Sequence, residues 1–254
     1  MLSDILKGLT SILDGFRLIA RYRLWWYMIL PSLISLVIGV AGYMLILPLK
    51  DELGQLLLGW WPWEWGAAVI DSIKNWIGGT LITLFFFFVY KYLVLIIAGP
   101  FMSLLSEQLE HKIYPGRPEA KFSVPRMLRE TWRGLVITLR NIFKEIGFTI
   151  LLMLSGLIPG LQPFVPVAIF LVQSYYAGFG AMDYTLERYY GVRESADFVS
   201  DNRALALGMG GAFLLLLFIP ILGFILAPPL ITAGSTPLVL DRISADEEAW
   251  GATL

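Results

Sequence analysis

The chain has 254 residues, of which 57% are hydrophobic and 15% are charged, with a mean hydropathy of +0.70 and a formal net charge of −1. This balance is typical of an integral membrane protein and argues against a soluble domain. The lack of cysteine excludes disulfides, thiolate metal sites and cysteine nucleophiles, and the single histidine, His111, excludes H-E-x-x-H zinc sites and bis-histidine haem ligation.

Residues 1–23 alternate apolar and polar side chains at helical spacing. The apolar positions are Ile5, Leu9, Ile12, Leu13, Phe16, Ile19 and Ala20. The pattern predicts an amphipathic helix that lies on the membrane surface or, alternatively, binds a partner. Since Asp4, Lys7 and Asp14 interrupt this stretch, we expect no cleavable signal peptide.

Residues 24–49 form an uncharged run of 26 residues. A helix of that length reaches ~39 Å, whereas the hydrocarbon core of a bilayer is ~30 Å thick. Arg17, Arg21 and Arg23 precede the run, and Trp25 and Trp26 open it, as suits the headgroup region. The run therefore predicts a first transmembrane helix over 24–49.

A second apolar run covers 75–106 and is interrupted only by Lys91. It predicts a second transmembrane helix, in which Lys91 either snorkels toward one membrane face or lines a pore. Between the two helices, residues 50–74 carry a tryptophan-rich stretch at 60–65, which is typical of a membrane–water interface.

Residues 121–145 predict a basic amphipathic helix. Its basic residues recur on one face, at Arg126, Arg129, Arg133, Arg140 and Lys144. This stripe either attracts anionic lipid headgroups or forms an anion-attracting vestibule. Eight Lys or Arg fall within 107–145 and four within the first 23 residues, so the positive-inside rule places the N-terminus in the cytoplasm.

The second half of the chain contains two uncharged segments of 37 residues, 146–182 and 204–240. Proline and glycine interrupt the first near 157–160, and a proline interrupts the second within 218–222. The half-segments are short for full spans, so we expect two broken helical hairpins that penetrate the membrane partly. Two hairpins that cross completely are the alternative.

The remaining segments are polar. Residues 183–203 predict a solvated face that includes Glu187, Arg188, Arg193 and Glu194. Residues 243–254 form an acidic tail to which no chemistry is assigned. All other elements belong to a single membrane domain, 1–242, and the predicted fold class is therefore an all-α integral membrane protein.

A set of short motifs is spread over about residues 5–242. They are Gly15-Phe16-Arg17-Leu18-Ile19, Ile29-Leu30-Pro31, Ala98-Gly99-Pro100-Phe101, Leu104-Leu105-Ser106-Glu107-Gln108-Leu109-Glu110, Ile158-Pro159-Gly160, Ile219-Pro220, Ala227-Pro228 and Gly234. In these motifs the chain resembles the CysZ family of bacterial sulfate permeases. It also resembles the broader superfamily that includes the eukaryotic etoposide-induced membrane proteins. The Glu107-Gln108-Leu109-Glu110 block is the most specific part.

This resemblance implies an inner-membrane protein with two long transmembrane helices, two partly penetrating hairpins, and assembly as dimers or higher oligomers. It also implies sulfate binding by a Gly-Leu-Arg-Arg motif at the start of the first transmembrane helix. Here the aligned residues are Arg23-Leu24-Trp25-Trp26, and only Leu24 is retained. Either Arg21 and Arg23 supply the missing charge to the same helix N-terminus, or the anion site is lost.

Two functions follow as hypotheses. The first is a permease or channel for a small, sulfate-like inorganic anion, with Arg21, Arg23 and Leu24 as anion-binding candidates. Further candidates for the pathway or for structural ion pairs are Glu107, Arg126, Arg129 and Arg133. The second is a non-conducting scaffold or lipid-interacting protein of the same fold.

We expect no enzyme, catalytic residue, metal or cofactor, because Walker A and G-x-S-x-G patterns are absent from the sequence. The expected partners are the lipid bilayer, an inorganic anion such as sulfate and further copies of the chain, and no nucleic acid.

Overall fold

The computed structural model describes residues 1–30, 33–34, 36–38, 40–42, 44, 99–116, 124–158, 160–219 and 222–251. Its larger unit comprises Met1–Ser32 and Ala98–Leu254. The helices there are α1 (Leu2–Tyr22), α2 (from 26), α3 (99–113), α4 (Val124–Ser155), a 3-10 turn (Gln162–Phe164), α5 (Val165–Leu186), α6 (Val192–Asp201), α7 (Arg203–Leu217) and α8 (Leu222–Gly251). The described residues contain no strand, so the fold is all-α, as the sequence predicts.

The smaller unit, Leu33–Ile97, is described only at certain positions between 33 and 44, and those residues are helical. Of the predicted transmembrane helix 24–49, residues 31, 32, 35, 39, 43 and 45–49 lie outside the described residues. So do Lys91, the 50–74 loop and all of the predicted helix 75–106 before residue 99.

Helix α7 lies at the centre of the larger unit, in contact with α1, α5 and α8. Two glycines allow its neighbours to approach closely. A Cβ at Gly208 would lie 2.2 Å from the Ile5 carbonyl oxygen of α1, and one at Gly210 would lie 1.7 Å from the Ser174 carbonyl oxygen of α5. Backbone contacts this close are possible only where a side chain is missing.

Helix α1 packs against α7 and α8 through a face of mostly small residues, Gly8, Ser11, Gly15 and Ile19. Its larger apolar side chains lie elsewhere. Leu2, Leu6, Leu13 and Phe16 are 73%, 53%, 58% and 52% exposed. One helix thus offers one face to the protein and a second, apolar face to its surroundings, which is typical of a helix at a membrane surface.

Helix α4 differs from the sequence prediction. A basic helix over 121–145 and an apolar half-hairpin from 146 are expected as separate elements, but α4 is continuous from Val124 to Ser155. The change from polar to apolar composition therefore does not end the helix. The break at 157–160 falls where the sequence predicts it, and Gly160 takes a left-handed φ of 92° in that turn.

The second hairpin is α7 and α8, and Phe218 and Ile219 are the described residues of the connection between them. Helix α8 contains Pro228, Pro229 and Pro237 and continues to Gly251, through the expected boundary at 242. Ile243 is 1% exposed and belongs to the hydrophobic core. The first residue of the predicted acidic tail is therefore part of the packed structure.

Among the described helices, the segment Gln162–Leu186 is long and apolar enough to cross a membrane by its length and composition, and Arg203–Leu217 is a shorter apolar helix. Large apolar side chains at the two hairpin turns are strongly exposed. Leu157 in the first turn and Phe218 in the second are each 77% exposed. Exposed apolar surface of this kind indicates contact with lipid or with another protein.

Candidate functional site

The predicted anion-binding residues Arg21, Arg23 and Leu24 lie at the turn between α1 and α2. Arg23 adopts the left-handed conformation, with φ 56° and ψ 40°. The Arg23 N–H donates to the Ala20 carbonyl over 3.4 Å, and the Leu24 N–H donates to the Ile19 carbonyl over 3.0 Å. This is the Schellman arrangement, and Leu24 and Ile19 are both buried in one hydrophobic cluster.

Helix α2 begins directly after this turn. Its first backbone bonds run from the Tyr27 N–H to the Leu24 carbonyl and from the Met28 N–H to the Trp25 carbonyl, over 3.1 and 3.0 Å. Within the described part of the chain, the N–H groups of Trp25 and Trp26 have no hydrogen-bond partner. Free N–H groups at a helix N-terminus attract anions.

The two arginines of this turn are exposed, whereas Leu24 is 7% exposed. The Arg21 guanidinium carbon lies 5.6 Å from the centroid of the Tyr22 ring. Both cationic side chains are therefore at the surface, in the turn that leads into α2, whereas Leu24 belongs to the hydrophobic core.

Arg133 joins three helices through one guanidinium. From α4 it forms a bidentate pair with Asp183 of α5, with both N–O distances 3.1 Å. It also donates to the Tyr190 carbonyl at 2.9 Å and to the Ser195 hydroxyl of α6 at 2.5 Å. The Arg133 and Asp183 side chains are 13% and 8% exposed, so this pair is largely removed from solvent.

A second largely buried pair joins Arg188, just after α5, to Glu110 of α3. Arg188 Nε and Nη2 donate to Glu110 Oε2 at 3.1 and 2.9 Å, and the Tyr189 hydroxyl donates to Glu110 Oε1. Arg188 also donates to the Tyr184 carbonyl at 2.8 Å and to the Ser106 hydroxyl at 2.9 Å. The Arg188 and Glu110 side chains are 8% and 11% exposed.

Three fully buried hydroxyl groups continue this network. Ser106 and Thr185 are 2.8 Å apart, Thr236 donates to Ser106 at 3.0 Å, and Thr185 donates to Thr236 at 3.5 Å. Helices α3, α5 and α8 therefore meet at a polar centre. Because a hydroxyl can both donate and accept, the hydrogen bonds of such a centre can be rearranged without leaving a group unpaired.

The other predicted pathway residues lie along α3 and α4. Glu107 is half-buried and Arg129 is exposed, while the side chain of Arg126 lies outside the described residues. Pairing of Glu107 with an arginine of α4 stays a prediction. No group of three or more His, Asp or Glu side chains suited to a metal ion occurs in the described segments.

Glu110, Asp183 and Arg188 belong to this site, although the sequence patterns do not indicate them. The polar pattern of 183–203 predicts a solvated Arg188, and that prediction is wrong because the side chain is buried in an ion pair. One signal was available for Asp183, which directly ends the uncharged segment 146–182. A charge at the edge of a long apolar segment generally has a partner inside the protein.

Comparison with known proteins adds an independent finding. A family model described as Sulfate transporter CysZ/Etoposide-induced protein 2.4 matches residues 11–228. The chain is similar to a protein named Sulfate transporter CysZ from Pectobacterium atrosepticum, with 25% identity over 246 residues, 93% of this chain and 85% of the relative. Proteins of the same name from Salmonella typhimurium and Vibrio cholerae are 24% and 26% identical, covering 96% and 89% of this chain and 96% and 90% of the relatives.

Proposed function

Because the chain belongs to the Sulfate transporter CysZ/Etoposide-induced protein 2.4 family, we propose that it is a membrane permease or channel for a small inorganic anion of the sulfate class. The relatives named above are bacterial proteins named as sulfate transporters, which supports a bacterial membrane location and a transport role. The sequence carries no nucleotide-binding motif, so the anion moves down a gradient unless a partner supplies energy.

The observation that carries this proposal is the start of α2. Two backbone N–H groups, on Trp25 and Trp26, have no partner among the described residues, and the exposed Arg21 and Arg23 precede them in the same turn. Backbone N–H groups and the positive end of the helix dipole favour a dianion, and arginine adds charge-assisted hydrogen bonds. Arg21 and Arg23 thus replace the arginine pair that the resemblance implies at Trp25 and Trp26.

The proposed pathway continues along α4. The exposed side chain of Arg129, together with Arg126, attracts anions from the aqueous phase. Glu107 of α3 pairs with an arginine of α4 and so fixes the two helices that line the pathway. Arg133 has a different task. Its guanidinium is engaged by Asp183 and Ser195, so it fixes α4 against α5 and α6 and does not bind the transported anion.

The proposed arrangement in the inner membrane has the transmembrane helices 24–49 and 75–106, two hairpins of which the second penetrates partly, and a cytoplasmic N-terminus, in one domain that includes Ile243 and forms homo-oligomers. The length of α7 supports partial penetration of the second hairpin. Its 15 residues reach only about 22 Å, less than the ~30 Å hydrocarbon core. The strongly exposed Leu157 and Phe218 are the proposed lipid-facing turns.

The test is anion-dependent stability of the purified protein. An anion that binds only the folded state at a hundred times its Kd stabilises it by about 2.7 kcal/mol. We expect sulfate, compared with chloride at equal ionic strength, to raise the unfolding temperature of the wild type and of Arg17→Ala, a matched control on the last turns of α1. The double variant Arg21→Ala/Arg23→Ala should lose this shift while its oligomer stays intact.

An unchanged sulfate shift in the double variant would contradict the role of the two arginines. Arg17 is a suitable control because it is exposed and its guanidinium already pairs with the Asp14 carboxylate, at 3.0 Å.

A further inference from the structure

We propose that Arg188, Tyr189 and Ser106 form a second anion-binding site, and that the carboxylate of Glu110 occupies it in this structure as a tethered competitor. The proposal rests on the proposed function of an anion permease and adds to it a residue that regulates passage. Its ligand is a tetrahedral oxyanion of the sulfate class.

The donors converge on one point. Arg188 presents Nε and Nη2 to the same carboxylate oxygen, at 3.1 and 2.9 Å, and the Tyr189 hydroxyl donates to the other oxygen. Arg188 thus binds one oxygen with two N–H groups and Tyr189 binds the second oxygen, which suits sulfate as well as carboxylate, since each presents two oxygens on one edge. The Glu110 carboxylate therefore marks where an anion fits.

The guanidinium is held by groups other than Glu110. Its Nη1 donates to the Tyr184 carbonyl at 2.8 Å, and its Nη2 donates to the Ser106 hydroxyl at 2.9 Å. Tyr184 lies one helical turn before Arg188, so this bond keeps the fork in place when the carboxylate turns away. The site is thus preorganised for a replacement anion.

The surroundings suit a desolvated dianion. Ser106, Thr185 and Thr236 are each 0% exposed and lie in mutual hydrogen-bond contact next to Arg188. Hydroxyl groups can reorient to donate to the additional oxygens that sulfate has and carboxylate lacks. A carboxylate bears one charge and sulfate bears two, so the arriving anion repels Glu110 from the site. Anion binding is thereby coupled to a displacement at the end of α3.

The experiment measures sulfate binding by thermal unfolding of the detergent-purified protein, with chloride at equal ionic strength as reference. Glu110→Gln keeps the side-chain size and removes the competing charge, so its apparent Kd for sulfate should fall at least tenfold below that of the wild type. The double variant Glu110→Gln/Arg188→Gln has no guanidinium and should lose the gain. An equal Kd in wild type and Glu110→Gln, or a gain that survives in the double variant, would overturn the proposal.

Glu110→Gln leaves a buried guanidinium without its carboxylate, which destabilises proteins. If the variant folds only when it is purified in sulfate, that rescue supports the site. If Glu110→Gln folds in neither salt, the double variant Glu110→Gln/Arg188→Gln tests the site instead, because the buried guanidinium is removed together with its carboxylate. We then expect its sulfate uptake into liposomes to fall at least tenfold, whereas uptake at the wild-type rate by the folded double variant would show that the pair is only structural.

The two proposals can fail separately. If wild-type liposomes take up no sulfate, the permease function is refuted, but the comparison of Glu110→Gln with its double variant still tests the site. If the wild type transports sulfate and Glu110→Gln binds it no more tightly, the site is refuted and the permease function stands.

Discussion

Replacing Gly210 with alanine is expected to force α5 and α7 apart. The new Cβ would lie 1.7 Å from the Ser174 carbonyl oxygen and 2.6 Å from the Gly178 nitrogen. Both atoms belong to the backbone of α5, so no side-chain rotation relieves the clash. Van der Waals contact requires about 3.5 Å, and the two helices therefore have to separate by more than an ångström along their closest approach.

The magnitude follows from this geometry. Overpacking of a core costs about 1–3 kcal/mol and more where backbone has to move, whereas glycine to alanine in a helix gains about 1 kcal/mol of propensity. The neighbouring Gly211 is the matched control. Its new Cβ would meet Leu9 at 3.6 Å and the Ser174 hydroxyl at 3.9 Å, which are ordinary contacts. Gly211→Ala should therefore keep the propensity gain, and the two variants should differ by about 3 kcal/mol.

The assay is thermal unfolding of the purified variants in detergent, followed by far-ultraviolet circular dichroism. For a chain of this size, about 1 kcal/mol corresponds to roughly 2–4 °C, so Gly210→Ala should unfold roughly 6–12 °C below Gly211→Ala. Equal unfolding temperatures for these adjacent substitutions would refute the close packing of α5 on α7, and with it the placement of α5, which carries Asp183 and ends just before Arg188.

The two remaining predictions concern ion pairs. Asp183→Asn should lower the free energy of unfolding by about 3–5 kcal/mol, because Arg133 stays buried without its partner. The double variant Asp183→Asn/Arg133→Met should recover most of that loss. Strictly additive losses in a double-mutant cycle would contradict the pairing. Arg242 pairs with Asp4 at 2.6 Å, and the two side chains are 41% and 25% exposed. Arg242→Ala should therefore lower the free energy of unfolding by no more than about 1 kcal/mol in the same thermal assay. A loss as large as that of Asp183→Asn would contradict the weakness of this exposed pair.

The hairpin turns were predictable from the sequence because their signals are local. Proline and glycine at 157–160, and proline at 218–222, interrupt otherwise apolar segments, and a helix seldom continues through such a turn. The continuity of α4 was not predictable in the same way. Its composition changes from basic to apolar near 146, but a helix tolerates that change without a local stop signal, so composition alone suggested a boundary that the structure lacks.

The buried pairs were beyond sequence reasoning for a different reason. Arg188 lies 78 residues from Glu110 in the chain, and Arg133 lies 50 residues from Asp183. Helical periodicity relates residues three or four apart and says nothing about such pairs. Arg188 also follows directly on Glu187, in a polar stretch, so its local sequence indicated solvent although tertiary packing buries it.

The position of the anion-binding candidates was predictable from the sequence, but their separate roles were not. Their position at the start of an uncharged run located Arg21, Arg23 and Leu24 beside a helix N-terminus. The left-handed conformation of Arg23 was not foreseen, because glycine is the residue that most often ends a helix in this way. Only the structure separates the buried, turn-fixing Leu24 from the two exposed arginines.

The central claim is that this chain conducts a sulfate-like anion, and the most direct test is uptake of radiolabelled sulfate into liposomes that contain the purified protein. Unlabelled selenate, thiosulfate, phosphate and chloride serve as competitors, and empty liposomes as the control. We expect saturable uptake that selenate blocks and chloride does not. Uptake no greater than that of empty liposomes, with protein shown to be folded, would contradict it and favour a non-conducting scaffold of the same fold.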